Sequence, residues 1–284
     1  MSRRFIAAAA QLGPIARDEP RESVVARMLA LMTEAKASAC ELIVFPEMAL
    51  TTFFPRELIE DVHQVNNYFE ASMPSEVTRP LFDAAKSTGI GFYLGYCEKI
   101  HGCKAAHHLG YNSAIYDPAL KLQHLEPWYF VDGDLGFPAF DMLGGKLGML
   151  ICNDRRWPEA WRMLGLKGVE LVCLGYNSPA QLPDNPSQNP YRKMHHLLPM
   201  QSAAYQNGCW IIATAKAGAE EGCDMMGNSC VISPCGEVVA QSSGLGDELL
   251  TYTIDLDMTI EYKRFFDFDT YRRPECYADI CKTD

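Results

Sequence analysis

Gly148-Met149-Leu150-Ile151-Cys152-Asn153-Asp154-Arg155-Arg156-Trp157-Pro158-Glu159 decides how this chain is read. An apolar run ends on a cysteine, a polar and cationic cluster follows at once, and Pro158 suits the first turn of a helix. The pattern predicts a buried strand over residues 146–152, a turn, and a helix beginning near Pro158. A cysteine at such a strand tip can serve as a nucleophile. Its thiolate would project from a rigid element beside backbone N–H groups that stabilise negative charge. Free cysteine is more often inert core, so the rest of the chain has to carry the assignment.

Outward from that stretch, strand-like and helix-like segments alternate. Strands are expected over residues 5–12, 41–45, 90–100, 112–116, 169–175, 209–215, 229–233, 237–241 and 249–256. Helices are expected over 21–39, where Val25, Met28, Leu29 and Met32 form a stripe, over 75–87 with Gly89 as a stop, and over 190–206. Ser233-Pro234-Cys235-Gly236 reads as a hairpin turn. Strands outnumber helices and the late hairpin is not a βαβ unit, so two packed sheets with helices outside fit better than one doubly wound sheet. No composition shift divides residues 1–284, which read as a single domain, with the aromatic and charged residues 262–284 as a C-terminal arm.

A formal net charge of −11 argues against a nucleic-acid partner and favours a small polar substrate. No apolar stretch approaches a membrane span and no secretory signal precedes residue 5. The eleven cysteines are odd in number and mostly lie in apolar runs, which points to reduced thiols in a cytoplasmic protein rather than a disulfide framework. No C-x-x-C or H-x-x-x-H spacing suggests zinc, and no metal is expected.

Further groups share the logic of Cys152. Glu47 follows the apolar run that ends at Phe45-Pro46, in aromatic surroundings that would raise its pKa and suit it to proton transfer. Taken alone, a glutamate after a strand is more often an exposed loop residue or a helix cap. Glu126 lies among Trp128, Tyr129 and Phe130, as a second buried carboxylate or a salt-bridge residue. Arg155 and Arg156 offer guanidinium forks for a substrate carboxylate, or structural ion pairs. Asn177 and Ser178 follow the next strand and can supply hydrogen bonds at the same sheet edge, or form an ordinary turn. His195-His196, inside an expected helix, reads as packing.

Glu47, Glu126 and Cys152 together resemble the nitrilase superfamily of carbon–nitrogen hydrolases, and the chain is most similar to its N-carbamoyl-D-amino acid amidohydrolases. The likeness rests on Gly13-Pro14-Ile15-Ala16-Arg17, on Phe45-Pro46-Glu47 through Pro55-Arg56, on Gln123-His124-Leu125-Glu126 and on Gly133-Asp134-Leu135-Gly136-Phe137-Pro138. Ile151-Cys152 through Glu159 and Gly222-Cys223 complete it. The resemblance implies an α/β fold, an αββα four-layer sandwich of two mixed sheets with helices outside. It also implies that Cys152 attacks a carbamoyl carbon while Glu47 takes the thiol proton. Ammonia leaves, and water hydrolyses the carbamoyl-enzyme to a D-amino acid and carbon dioxide. Glu126 would hold the geometry or relay protons, and Arg155 and Arg156 would anchor the substrate carboxylate. Asn177 and His124 would face the substrate, with the Asn153 N–H in the oxyanion hole. No cofactor is implied, and the family is usually oligomeric, so a homodimer or homotetramer is expected.

The likeness breaks at one place. The family's catalytic lysine stands in a Gly-Lys-x-x-Lys run, and here the chain passes directly from Lys121-Leu122 to Gln123-His124. Lys121 is the nearest lysine to the lost segment. Three readings follow: a faulty gene model, a folded but impaired relative that binds a small carboxylate or serves as an oligomer subunit, or Lys121 rebuilt into the site. Within the enzyme class, an N-carbamoyl-β-amino acid or a simple amide is the alternative substrate.

Overall fold

The computed structural model describes residues 3–99, 107–108, 125–133 and 135–282. The strands of its first half are β1 (Arg4–Gln11), β2 (Cys40–Val44), β3 (Gly91–Tyr93), β4 (His107–His108), β5 (Val131–Asp132), β6 (Ala139–Met142) and β7 (Gly145–Ile151). They are followed by β8 (Leu171–Tyr176), β9 (Trp210–Ala215), β10 (Ala217–Glu220), β11 (Cys223–Met226), β12 (Cys230–Ile232), β13 (Val238–Gln241) and β14 (Glu248–Asp255). The helices are α1 (Arg21–Ala37), α2 (Val62–Asn66), α3 (Arg79–Thr88), α4 (Glu126–Tyr129), α5 (Pro158–Leu166), α6 (Arg192–Asn207) and α7 (Asp257–Phe266).

Two mixed sheets carry the fold, in the orders β14-β1-β2-β3 and β13-β12-β9-β8-β7-β6. β1 pairs parallel to β2 and antiparallel to β14. In the larger sheet β7, β8 and β9 run parallel, and β6, β12 and β13 add antiparallel edges. Because side chains alternate along a strand, each central strand feeds two apolar layers. Ala8, Ala10 and Ile43 pack under α1 and α3 with Val25, Met28 and Leu81. Phe5, Ala7, Ala9, Leu42 and Val44 meet Leu171, Cys173 and Ile212 between the sheets. Val172, Leu174 and Ile211 pack against Trp161, Leu164 and Met200 of α5 and α6. Three filled interlayers make a helix–sheet–sheet–helix sandwich, as expected.

Several elements differ from the sequence reading. The strand expected over 90–100 pairs only at Gly91–Tyr93. Beyond it Gly95 leaves the ladder to bond with the Glu47 loop, donating to Pro46 O at 3.2 Å and accepting from the Ala49 N–H at 2.9 Å. The helix expected from residue 75 starts at Arg79, because Ser75 and Thr78 close a turn first: the Ser75 N–H donates to Thr78 Oγ1 at 2.8 Å. The β10–β11 hairpin was not foreseen; its turn places Glu221 and Gly222 at φ 50° and 77°, both left-handed. α7 was also missed, and it takes in Tyr262, so helix continues to Phe266 inside what reads as the start of the arm. The strand expected over 112–116, the gap at 122–123, Lys121 and His124 lie outside the described residues.

The described cysteines are free thiols. Among the described residues no helix is long and apolar enough to cross a membrane, and no cluster of His, Cys, Asp and Glu has the makings of a metal site.

Candidate active site

Glu47 stands just beyond β2, and two glycines let its backbone pass between neighbouring strands. A β-carbon on Gly95 would lie 2.6 Å from Glu47 Cα, and one on Gly175 would lie 2.4 Å from the Glu47 amide nitrogen. Only a residue without a side chain fits at either place. Asn177, just past β8, then fixes the carboxylate. Its backbone N–H and Nδ2 donate to Oε2 at 3.0 and 3.1 Å, and Nδ2 donates to Glu47 O at 2.8 Å. Oε1 has no partner at hydrogen-bonding geometry, although the Cys152 thiol stands near enough to lower the carboxyl's pKa. Burial first, and then the charge of Glu126, push the Glu47 pKa up to about 8 against the lowering influence of Cys152, Asn177 and Arg155.

Cys152 opens a tight turn spanning Cys152–Arg156. Its φ of 39° is left-handed, a costly conformation for a residue with a side chain. Asp154 helps to hold it there: the Ile151 N–H donates to Asp154 Oδ2 at 2.9 Å across the turn. The thiol is buried and donates to Asn177 O at 3.5 Å. Burial and the Glu47 charge raise the Cys152 pKa, while Arg155 opposes them. In the resting site the thiol is therefore neutral, and Glu47, once ionised, stands where it could take the thiol proton. The Tyr93 hydroxyl spans the two sheets below, donating to Leu150 O at 3.1 Å and accepting from the Gly175 N–H at 3.3 Å.

Arg155 is fully buried, and much of its fork is already committed. Nη1 donates to Cys152 O at 2.6 Å and reaches Cys152 Sγ at 3.8 Å, while Nη2 donates to Ser178 Oγ at 2.7 Å. The guanidinium lies 4.7 Å from the centre of the Tyr176 ring. Its Nε has no partner. Arg156, next in the turn, is exposed; its pKa falls to about 10, first through the charge of Arg155.

Glu126 is buried at the start of α4, within electrostatic reach of both Glu47 and Cys152. α4 is moored to the loop after Glu47: the Leu125 N–H donates to Pro55 O at 2.9 Å and the Tyr129 hydroxyl to Glu57 O at 2.5 Å. Asn153 is half-buried inside the Cys152 turn. The structure thus brings Glu47, Glu126, Cys152, Asn153, Arg155, Arg156 and Asn177 to one end of the sandwich. His196 packs instead in the α6 core, its Nε2 against the Tyr176 hydroxyl at 3.1 Å.

One buried group was overlooked. Lys216 has no exposed surface, and its ammonium pairs with Glu220 at 2.9 Å and donates to Thr51 O at 2.7 Å. Glu220 also accepts from the Phe53 N–H at 2.7 Å and from Arg56 at 3.3 Å. This network clamps the loop that follows Glu47. Lys216 sits directly past β9 as Glu47 and Cys152 sit past their strands, and that signal could have found it.

Residues 6–264 match the carbon-nitrogen hydrolase family. The chain belongs to that family. Among curated relatives of this carbon–nitrogen hydrolase, a nitrilase of Pyrococcus abyssi is 30% identical over 261 residues, covering 87% of this chain and 90% of its own. An N-carbamoylputrescine amidase of Arabidopsis thaliana is 26% identical over 280 residues, covering 89% and 88%. The fold is similar to that of a carbon-nitrogen hydrolase from Helicobacter pylori G27, with a TM-score of 0.83, 23% identity and 99% coverage of both chains. In this carbon–nitrogen hydrolase the buried thiol, the carboxylate with raised pKa and the cationic turn form a set able to cleave a C–N bond by nucleophilic catalysis.

Proposed function

We propose that this carbon–nitrogen hydrolase cleaves N-carbamoyl amino acids, with the D-series as the first candidates, through a covalent intermediate on Cys152. One observation carries the reading: the Cys152 thiol is held at a left-handed φ of 39° beside the Glu47 carboxylate and below the Arg155 guanidinium. Glu47 takes the thiol proton as sulfur adds to the carbamoyl carbon. The carbon–nitrogen bond to the terminal amine breaks, and Glu47 returns the proton to the departing ammonia. Water then attacks the S-carbamoyl carbon, restores the thiol and frees a carbamic acid, which loses carbon dioxide to leave the amino acid. The Asn153 N–H is assigned to the developing oxyanion, and Glu126 to holding Glu47 in place. Arg156, whose charge is not balanced by a described carboxylate, is assigned to the substrate carboxylate. The carbamoyl chemistry is in keeping with the relative named N-carbamoylputrescine amidase.

The test is ammonia release from N-carbamoyl-D-phenylglycine, its L-enantiomer, an N-carbamoyl-β-amino acid, and an amide and a nitrile lacking a carboxylate. Turnover of the carbamoyl acids, lost in Cys152→Ala, is the expected result. A preference for the uncharged amide or nitrile would support the alternative reading instead. A chain that folds but neither turns over nor becomes carbamoylated at Cys152 would refute catalysis and leave the role of a binding or oligomer subunit.

A homodimer or homotetramer is likewise proposed. Met163 and Leu166 of α5, Met194, Leu198 and Tyr205 of α6, and Phe265 at the end of α7 are exposed apolar side chains. Analytical ultracentrifugation tests it, and a monomer at micromolar concentration would overturn it.

A further inference from the structure

Three consecutive residues after β8 each hold a different side chain of the site. Asn177 O accepts from the Cys152 thiol at 3.5 Å, Ser178 Oγ from Arg155 at 2.7 Å, and Pro179 O from Arg192 Nη2 at 2.8 Å and Nε at 3.2 Å. That segment is rigidly seated, since the Met226 N–H donates to Ser178 O at 2.9 Å and the Ala180 N–H to Asp224 O at 2.7 Å. Arg192, the first residue of α6, is thereby anchored beside the nucleophile turn by one edge of its guanidinium.

A guanidinium has five N–H donors in a planar fork. The Nε/Nη2 edge of Arg192 is spent on Pro179 O. The opposite Nη1/Nη2 edge has no partner among the described residues, and its two parallel N–H groups can pair bidentately with a carboxylate. The charges that bear most on Arg192 are Arg155, Cys152 and Cys223, and those on Arg156 are Arg155, Cys152 and Arg192; none is a carboxylate. Arg155 is fully buried with Nε unpartnered, so the cluster also holds an unsatisfied buried donor. A chain of net charge −11 thus gathers three arginines around one thiol and leaves two of them without counter-ions among the described residues. A substrate with one carboxylate occupies one of these forks.

We propose that Arg192 is a specificity-determining residue that binds a second carboxylate, so that the preferred substrate is the N-carbamoyl derivative of a dicarboxylic amino acid. This rests on the carbamoyl-hydrolase reading for the position of the reacting carbon, with the first carboxylate on Arg156. A side-chain carboxylate then reaches across the 177–179 segment to the free edge of Arg192. A carboxylate suits that edge because two parallel N–H groups face its two oxygens.

The experiment measures binding and turnover separately. Calorimetric titration of the Cys152→Ala chain compares N-carbamoylglutamate with N-carbamoylnorvaline in both enantiomers, a pair alike in length and differing in the terminal carboxylate. The expected result is at least about tenfold tighter binding of the glutamate derivative, falling off with added salt as a charge contact does. In the same chain with Arg192→Gln that ratio should fall by about tenfold, and with Arg192→Lys it should be partly kept, because lysine keeps the charge but not the fork. Equal affinities, a ratio untouched by Arg192→Gln, or no binding of either compound would overturn the proposal. Turnover by the Cys152-containing chain tests the underlying reading on its own. Selective binding without turnover supports the assignment of Arg192 and refutes only the hydrolase mechanism.

Discussion

Gly175 and Glu47 touch across the two sheets: a β-carbon on Gly175 would stand 2.4 Å from the Glu47 amide nitrogen. Gly175→Ala must therefore displace the Glu47 loop or the end of β8. The expected outcome is a stability loss of about 1–3 kcal/mol and a fall in kcat on the order of a hundredfold. Urea unfolding and steady-state kinetics check both. An alanine variant with unchanged kcat would show that the contact does not position Glu47.

The pH dependence follows from Glu47. Its ordinary pKa of 4.5 is raised to about 8, and in the proposed mechanism it must be ionised to accept the thiol proton. The kcat/KM should therefore rise with pH through the neutral range and level off above about 8. The stability linkage has its own sign. A raised carboxyl pKa means that the folded state holds a proton the unfolded chain gives up. The stabilisation is full below about 4.5 and is lost as pH rises to about 8. Glu47→Gln should gain thermal stability over the parent chain across that interval, with the gain constant on the alkaline side. A Tm difference independent of pH would contradict the raised value.

Arg155 holds the nucleophile turn through Cys152 O and Ser178 Oγ at once. Lysine cannot reach both in one plane. Arg155→Lys should lower kcat on the order of a hundredfold and slow alkylation of Cys152 by iodoacetamide, since the shorter ammonium no longer stands against Cys152 Sγ as the Arg155 fork does. Alkylation at the parent rate would show that the guanidinium acts on packing alone.

Lys216→Met removes one partner of a buried ion pair and leaves Glu220 facing Arg56 alone. A loss of about 3–5 kcal/mol is expected. Lys216→Met combined with Glu220→Gln should cost more still, because Arg56 is then buried without its carboxylate. Denaturant midpoints of the single and double variants provide the cycle.

Cys152, Glu47 and Asn177 were legible in the sequence for one reason. Each is a polar or reactive residue standing just past an apolar strand, and strand ends at one edge of a sheet meet in space. The αββα layering was legible because central strands buried on both faces read as continuous apolar runs, and β1, β8 and β9 do. The contacts that set the site's geometry were not. Gly95, Gly175 and Tyr93 act across the gap between sheets, on residues remote in the chain, and no local pattern reports such a meeting. Arg192 falls inside the helix expected over 190–206, and nothing in that pattern reports that Pro179 O holds it. The β10–β11 hairpin escaped because its strands, Ala217–Glu220 and Cys223–Met226, are only four residues long, too short for a two-residue period to stand out.

Glu47 follows the four-stranded sheet and Cys152 the six-stranded one. The separation of Glu47 from Cys152 is therefore gauged in part by the side chains filling the interlayer. β1 contributes Ala7 and Ala9 to that filling, both fully enclosed. Stacked sheets ordinarily lie about 10 Å apart, and each methylene wedged in at Ala7 or Ala9 would widen the jaw that proton transfer has to span. The spacing on which the proposed proton transfer depends is thus set in alanine, on a strand that places no residue in the candidate site.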